Sequence, residues 1–409
     1  MRAIAIVLVL AACSDREKAA PSPAVTPDAA AVAVAPDAAT PAPDAAAQPA
    51  GADFLAEAKL LYGIAGCAEG APIAEPIRKI VERHCKALAP HIAKFREVYF
   101  VTAPKWLAEH VPGDVPTTVV YPFGGGDLLS ALAVFPKATE ITTISLELAG
   151  DPRRVTTLSP KQLETDLATF RNEIGWLIQV GSNTSKNLSA QQRNNLPGQV
   201  TSFLLALAVG GYEPTAMRFF TIADDGAIHY LEQADIAADT QNTKSLSGSW
   251  RDPNFAKAFQ NVELRFRKIG ETTEQVHRHI AWNLGDKELA AKPGLLKHLK
   301  AKGKVTMIVK GASYLLWENE FSTIRKYILD HLAFMLSDST APPPMYAGPA
   351  GMVQEPWGKF VAPGLPHAVG SKQDQDMRAL WKQSKGPAPF RFGYIDNENN
   401  IHLLITRPK

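Results

Sequence analysis

Between residues 117 and 147 a β-branched run, a glycine turn, a short helix and a second β-branched run follow one another, and this unit decides the class of fold. Thr117-Thr118-Val119-Val120-Tyr121-Pro122-Phe123 reads as a buried strand. Gly124-Gly125-Gly126-Asp127 is the turn, Leu128 to Phe135 the helix, and Glu140 to Glu147 the second strand. Strand, helix and strand in that order make a βαβ unit, which pairs its strands in parallel through a right-handed crossover.

The flanking text extends the pattern. Asp53-Phe54 opens a helix with Leu55, Ala58, Leu61 and Tyr62 at helical spacing, and more helix follows to about His110. Residues 53–115 are thus read as a helical segment ahead of a sheet-containing domain, 116–409. Ser159-Pro160 pairs a capping residue with Pro at the first helical position, for a helix running past Trp176. Pro197 to Gly210 carries Phe203, Leu204, Leu207 and Val209 and reads as a buried helix. Met217–Ile222 and Ala227–Leu231 flank Asp224-Asp225-Gly226, a hairpin signal. Val262–Ile269 with Val276–Trp282 reads as a second hairpin, Lys304–Lys310 as a strand and Phe321–Leu336 as an amphipathic helix. Phe390–Asp396 with Ile401–Thr406 reads as a closing hairpin. Helices and strands interleave throughout, so the expected class is α/β: a mixed, largely Rossmann-like sheet with β-hairpin additions.

Ahead of this body, Met1-Arg2 supplies one positive charge, Ala3 to Ala12 is apolar, and Leu10-Ala11-Ala12-Cys13 closes the stretch. A charged start, a short apolar run and small residues before a cleavage point have the form of a signal peptide, here 1–13, too short to span a bilayer. Leu-Ala-Ala-Cys resembles the lipobox of bacterial lipoproteins. That resemblance implies acylation of Cys13 by diacylglycerol and palmitate-type chains, a membrane anchor, and a place in the bacterial cell envelope. Ser14, with no Asp directly after the Cys, implies the outer membrane over the inner one. The alternative is a plain signal peptide with an incidental Cys.

Residues 14–52 hold 16 Ala and 7 Pro and no aromatic, and Pro-Asp-Ala-Ala recurs at Pro27, Pro36 and Pro43. Frequent Pro removes N–H donors and excludes αR before it. Nothing there buries enough apolar surface to offset the ordering entropy. The expectation is a disordered tether with a reach up to roughly 100 Å, and a globular body at 53–409. With Cys13 given to lipid, Cys67 and Cys85 are left, and in an exported compartment they are expected to pair as a disulfide. Two free buried thiols are the alternative.

Charge is nearly balanced, 43 Lys plus Arg against 41 Asp plus Glu, which argues against nucleic acid as a partner. The glycine turn is the first candidate site. Gly124, Gly125, Gly126 and Asp127 lie between strand and helix, with Glu147 ending the next strand. The layout resembles the nucleotide-binding units of Rossmann-like proteins and methyltransferases, which implies backbone approach to a ligand at the glycines and an acid holding ribose hydroxyls. The spacing departs from GxGxxG, and Asp127 would repel a pyrophosphate at the helix N-terminus. Asp127 has an ordinary use as an N-cap. No cofactor is therefore expected.

His277 and His279 flank Arg278 on one strand, so both project from one face. Glu263, Arg265 and Arg267 on the partner strand are expected to share that face, giving a solvated polar surface and no metal site. There is no G-x-S-x-G elbow, no H-E-x-x-H and no S-x-x-K with recognisable partners. A carboxylate pair brought together by the fold stays open.

Lys310-Gly311-Ala312-Ser313-Tyr314-Leu315, Phe321-Ser322-Thr323-Ile324-Arg325, Phe392-Gly393-Tyr394 and Tyr121-Pro122-Phe123 together resemble an uncharacterised family of large exported bacterial proteins, over about 117–404. The resemblance implies export and supports the fold, and brings no activity with it. Lys310, Tyr314, Arg325 and Asp338 are the polar members of a possible ligand site, against ordinary strand-end and helix-start contacts. The expected function is a lipid-anchored envelope protein whose body binds a partner or structural component without catalysis. An envelope hydrolase or a degenerate Rossmann-type transferase near the glycine turn is the alternative. A cytoplasmic chain whose glycine turn holds a nucleotide is a third.

Overall fold

The structure, a computed structural model, describes residues 51–180, 195–241, 256–363, 367–387, 390–393 and 402–409. The expected signal segment and the expected tether up to residue 50 lie outside the described residues, as do Tyr394 and the rest of the expected 390–396 arm. Gly51 and Ala52 are buried, and the Ala52 N–H donates to Leu231 O at 2.9 Å, so the body takes up the chain ahead of Asp53.

The helical segment contains α1 (Leu55–Ile64), α2 (Ile77–Arg96) and α3 (Ala103–His110), with one π turn at Glu97–Thr102. Cys67, after α1, is disulfide-bonded to Cys85 of α2, so the two thiols pair as expected and are not free. The βαβ unit follows as β1 (Thr118–Pro122), α4 (Leu128–Val134) and β2 (Glu140–Ser145), with β1 and β2 parallel and Val119 opposite Ile141. Next come α5 (Pro160–Val180) and α6 (Gly198–Gly210). Ser159 opens α5 as a capping box: its Oγ accepts the Gln162 N–H while the Gln162 side chain accepts the Ser159 N–H. Residues 198 to 209 of α6 are buried on every side, which explains why an apolar segment with no polar face folds as a helix here. Gly211 ends it in the left-handed region.

Both internal hairpins form. Gly226, at φ 96°, turns β3 (Tyr212–Ile222) into β4 (Ile228–Tyr230), and β5 (Asn261–Lys268) pairs antiparallel with β6 (Glu274–Ala281). The remaining elements are α7 (Gln233–Gln241), α8 (Asp286–Ala291), α9 (Gly294–Ala301), β7 (Val305–Val309), α10 (Ser322–His331), β8 (Leu332–Ser337), α11 (Pro344–Ala347), β9 (Met352–Gly358), α12 (Lys372–Trp381) and β10 (His402–Pro408).

Two expectations need correction. The helix expected over Phe321–Leu336 stops at His331, and Leu332–Ser337 is a strand parallel to β7. The apolar run Leu332-Ala333-Phe334-Met335-Leu336 fits a buried strand as well as a helix stripe, and a place in the sheet beside β7 decides between them. The second concerns the last strand: β10 pairs with β8 and β9, with Leu404 opposite both Ser337 and Pro356, and Phe390–Gly393 form no strand beside it.

One mixed sheet of ten strands results, in the order β4-β3-β5-β6-β2-β1-β7-β8-β10-β9. Its centre, β6-β2-β1-β7-β8, is parallel. Strand alternation sends Val119 and Tyr121 into the core shared with α1 to α6, and Val120 into the core shared with α8 to α12. The class is α/β and Rossmann-like, with helices on both faces. Because β2 lies on one side of β1 and β7 on the other, sheet growth reverses at the β1/β7 boundary. Open α/β sheets form ligand crevices beyond the carboxyl ends of their strands at such a boundary.

Candidate functional site

Three segments leave the sheet at that boundary: the glycine turn after β1, Lys310 after β7, and Asp338 after β8. The turn is tightly drawn. Phe123 has φ 62°, a left-handed backbone rare for a non-glycine residue, and Gly125 has φ 51°. The Gly124 N–H donates to Ile144 O at 3.0 Å, tying the turn to the end of β2. A Cβ on Gly126 would stand 2.2 Å from Gln199 Oε1 of α6. Glycine at 126 therefore admits a neighbouring helix, and all three glycines are buried.

Asp127 does what its position predicts as a cap and more. Its Oδ1 accepts the Ser130 N–H at 3.0 Å, its Oδ2 accepts the Tyr121 hydroxyl at 2.9 Å, and Lys310 Nζ stands 2.7 Å from Oδ2. Lys310 also donates to Ser130 Oγ at 2.7 Å and lies 5.3 Å above the Phe392 ring. Burial, then the Asp127 charge, pushes the Tyr121 phenol well up, so it stays a donor.

Asp338 continues the cluster. Its Oδ2 accepts the Gly311 N–H at 2.8 Å and its Oδ1 accepts the Thr340 N–H at 2.9 Å and the Thr340 hydroxyl. Ser313 and Thr340 share a hydroxyl contact. Next to it, the Ser339 N–H donates to His402 Nδ1 at 3.1 Å, which fixes that nitrogen as an acceptor, and Ser339 Oγ donates to Val361 O. Asp338, Ser339, Thr340 and His402 are fully buried.

The structure thus brings Gly124–Asp127, Lys310 and Asp338 to one end of the sheet. Arg325 is directed elsewhere: its guanidinium donates to Leu316 O at 2.7 Å and Glu318 O at 2.9 Å, and stacks 4.0 Å over Tyr346. Tyr314 is half-buried in the 3-10 turn Ala312–Trp317. Glu147 follows β2, where its carbonyl accepts from His279 and its N–H donates to Ser145 Oγ; burial pushes its carboxyl up. Sequence reasoning misses Ser130, His402 and Gln199 and reads Tyr121 only as part of a strand and of a shared stretch. Only Ser130, three residues after the cap, had a local signal.

The face assigned to the histidines is also corrected. His277 and His279 are both fully buried, because β5 and β6 pair with Leu264 opposite His277 and Val262 opposite His279. Residues opposite each other share a face, so the histidines lie on the apolar one beneath Phe203, whose ring is 4.5 Å from that of His277. Glu263, Arg265 and Arg278 share the other face, where Arg278 pairs with Glu263 and Glu140, both at 2.8 Å.

The proton positions under Phe203 follow from the acceptors. Glu147 O can only accept, so His279 Nε2 carries hydrogen across the 2.7 Å contact. Burial holds His279 down to about 4 and His277 well below its usual range, so each ring is neutral. His279 Nδ1 then accepts from Thr143 Oγ1 at 3.0 Å, and Thr143 accepts from His277 Nε2 at 2.9 Å. His277 Nδ1 is left as a bare acceptor with no partner among the described residues.

Chemically, the strand-end cluster holds one atom pair of interest, Ser130 Oγ with Lys310 Nζ. A serine–lysine pair serves as nucleophile and base only when the amine can take the hydroxyl proton. Here the ammonium is ion-paired to Asp127 and donates to the hydroxyl. Among the described residues no three His, Cys, Asp or Glu side chains converge as a metal site, and no helix is long and apolar enough to cross a membrane. Comparison of the chain with protein-family models, with curated proteins and with solved structures returns no match.

Proposed function

We propose that the chain is a lipid-anchored protein of the cell envelope whose folded body is a non-catalytic binding or structural module. The non-catalytic part rests on one observation: among the described residues, the strand end where an α/β enzyme keeps a crevice holds the buried Asp127–Lys310 ion pair, with Lys310 over the Phe392 ring. The Leu10–Cys13 lipobox and the Ala/Pro spacer support the anchoring, and the Cys67–Cys85 bridge suits an oxidising exported compartment. In this reading the acyl chains on Cys13 contribute ~0.8 kcal/mol per buried CH₂, enough with two or three chains for stable attachment, with the outer membrane the preferred destination. The tether lets the body reach an envelope partner away from the bilayer.

An envelope hydrolase is the second reading, and the 2.7 Å contact of Ser130 with Lys310 is what favours it. The direction of that hydrogen bond and the burial of both groups weigh against it. A Rossmann-type transferase is less well supported, since Gln199 occupies the space at Gly126.

The test takes the full-length protein in an export-competent bacterial host. Wild type is expected to incorporate labelled palmitate and fractionate with the envelope, and Cys13→Ala to do neither. Given ester and envelope-polymer substrates, wild type and Ser130→Ala should be equally inert. Turnover that Ser130→Ala abolishes would overturn the reading in favour of a hydrolase.

A further inference from the structure

At the opposite, amino-terminal end of β1 lies a cavity of about 350 Å³ between α3, the loop entering β1 and the loop after α4. Leu107, Val119 and Phe135 belong to its walls. Among its lining residues Lys137 is the only charged one and Thr117 the only other with a polar side chain. The Thr117 hydroxyl is engaged by Thr139 at 2.9 Å. Lys137 is solvent-exposed, and no hydrogen bond or ion pair to it is found among the described residues. A cavity of that size, apolar within and positive at one rim, is amphiphilic in the sense of a small-molecule site.

We propose that this pocket binds a monomeric single-chain fatty acid, with the alkyl chain inside and the carboxylate on Lys137. At about 30 Å³ per water-sized group, the volume admits about a dozen heavy atoms. That excludes the two or three acyl chains of an anchored Cys13 as joint occupants. A polyproline stretch of the tether is a poorer fit, because such segments dock on aromatic-lined grooves and Phe135 is the only aromatic in this lining. The inference rests on the pocket alone and goes beyond the anchoring reading.

The test uses purified full-length protein and a photoactivatable dodecanoic acid, with dodecanol carrying the same group as control. The acid label is expected to map to residues 104–119 and 133–138, and to be displaced by fatty acids with potency rising about fourfold per added CH₂ up to roughly twelve carbons. Ala108→Trp, at an exposed position of α3 that lines the cavity, should cut labelling about tenfold while the melting temperature stays unchanged. Lys137→Glu should cut acid labelling about tenfold and leave the alcohol unaffected. Labelling insensitive to Ala108→Trp, labelling of the tether, or equal loss of acid and alcohol in Lys137→Glu would each overturn the proposal. Failure here leaves palmitate incorporation at Cys13 untouched, so the two readings fail separately.

Discussion

Asp127 and Lys310 follow different strands of the sheet, yet their charged atoms meet at 2.7 Å with 4% of either side chain exposed. A buried pair of this kind is fragile to single changes because the survivor is left uncompensated. Lys310→Met is expected to cost about 3–5 kcal/mol, and adding Asp127→Asn to it should recover much of that loss. Urea unfolding of the two variants checks the order; a double variant less stable than the single one would contradict it.

Gly393 touches Asp338 so closely that a Cβ there would stand 2.1 Å from the Asp338 Cβ, at φ 85°. Gly303 has a similar φ of 69° but no heavy atom within 4 Å of such a Cβ. Alanine at 303 should cost only the backbone penalty, about 1 kcal/mol. Alanine at 393 should cost several times more, since it displaces Asp338 from Gly311 and Thr340. Paired melting curves of the two alanine variants decide this.

Stability should fall on acidification, before most carboxylates protonate. Burial holds His84 and His279 at about 4 in the folded protein; His84, like His279, is a neutral ring, donating from Nε2 to Ala65 O at 3.2 Å and accepting the Arg171 guanidinium at Nδ1 at 3.0 Å. Unfolded histidine titrates near 6.5, so below that pH the unfolded chain binds more protons. Stability is fully present above pH ~6.5 and is lost as pH drops towards 4, at up to about 1.4 kcal/mol per pH unit for each histidine. Unfolding free energies at pH 7, 5.5 and 4.5 measure the slope. A flat profile over that window would show these rings to be protonated when folded.

The Cys67–Cys85 bridge closes a loop of 18 positions between α1 and α2. Replacing both by serine is expected to lower stability by ~3 kcal/mol in the chain-entropy picture. The same loss should appear when the wild type is unfolded under reducing conditions, and the double-serine protein should show no further response to reductant.

Local signals were legible where a residue's own neighbours decide its structure. The βαβ unit, the capping residue Ser159 and the Asp-Gly hairpin are all readable locally, and so is the N-cap use of Asp127. What depended on sheet order was not. Ser130 and Lys310 lie 180 positions apart, and only the adjacency of β1 and β7 brings them together. Alternation tells which residues share a face but not which face is covered; for His277 and His279 that is decided by Phe203, from another element. Leu332 to Leu336 satisfied two periodicities at once, and the choice lay in a partner strand almost thirty residues upstream.

The entry of the chain at Ala52 has a mechanical consequence. Ala52 is hydrogen-bonded to Leu231, just past β4, and the Phe54 N–H to Met217 O of β3, so the start of the described body is fastened to the two strands at one edge of the sheet. If the chain is anchored as proposed, tension applied through residues ahead of Gly51 would load these few bonds first and peel β4 away. The strands around Asp127 and Lys310 would stay unstressed until that rim had torn.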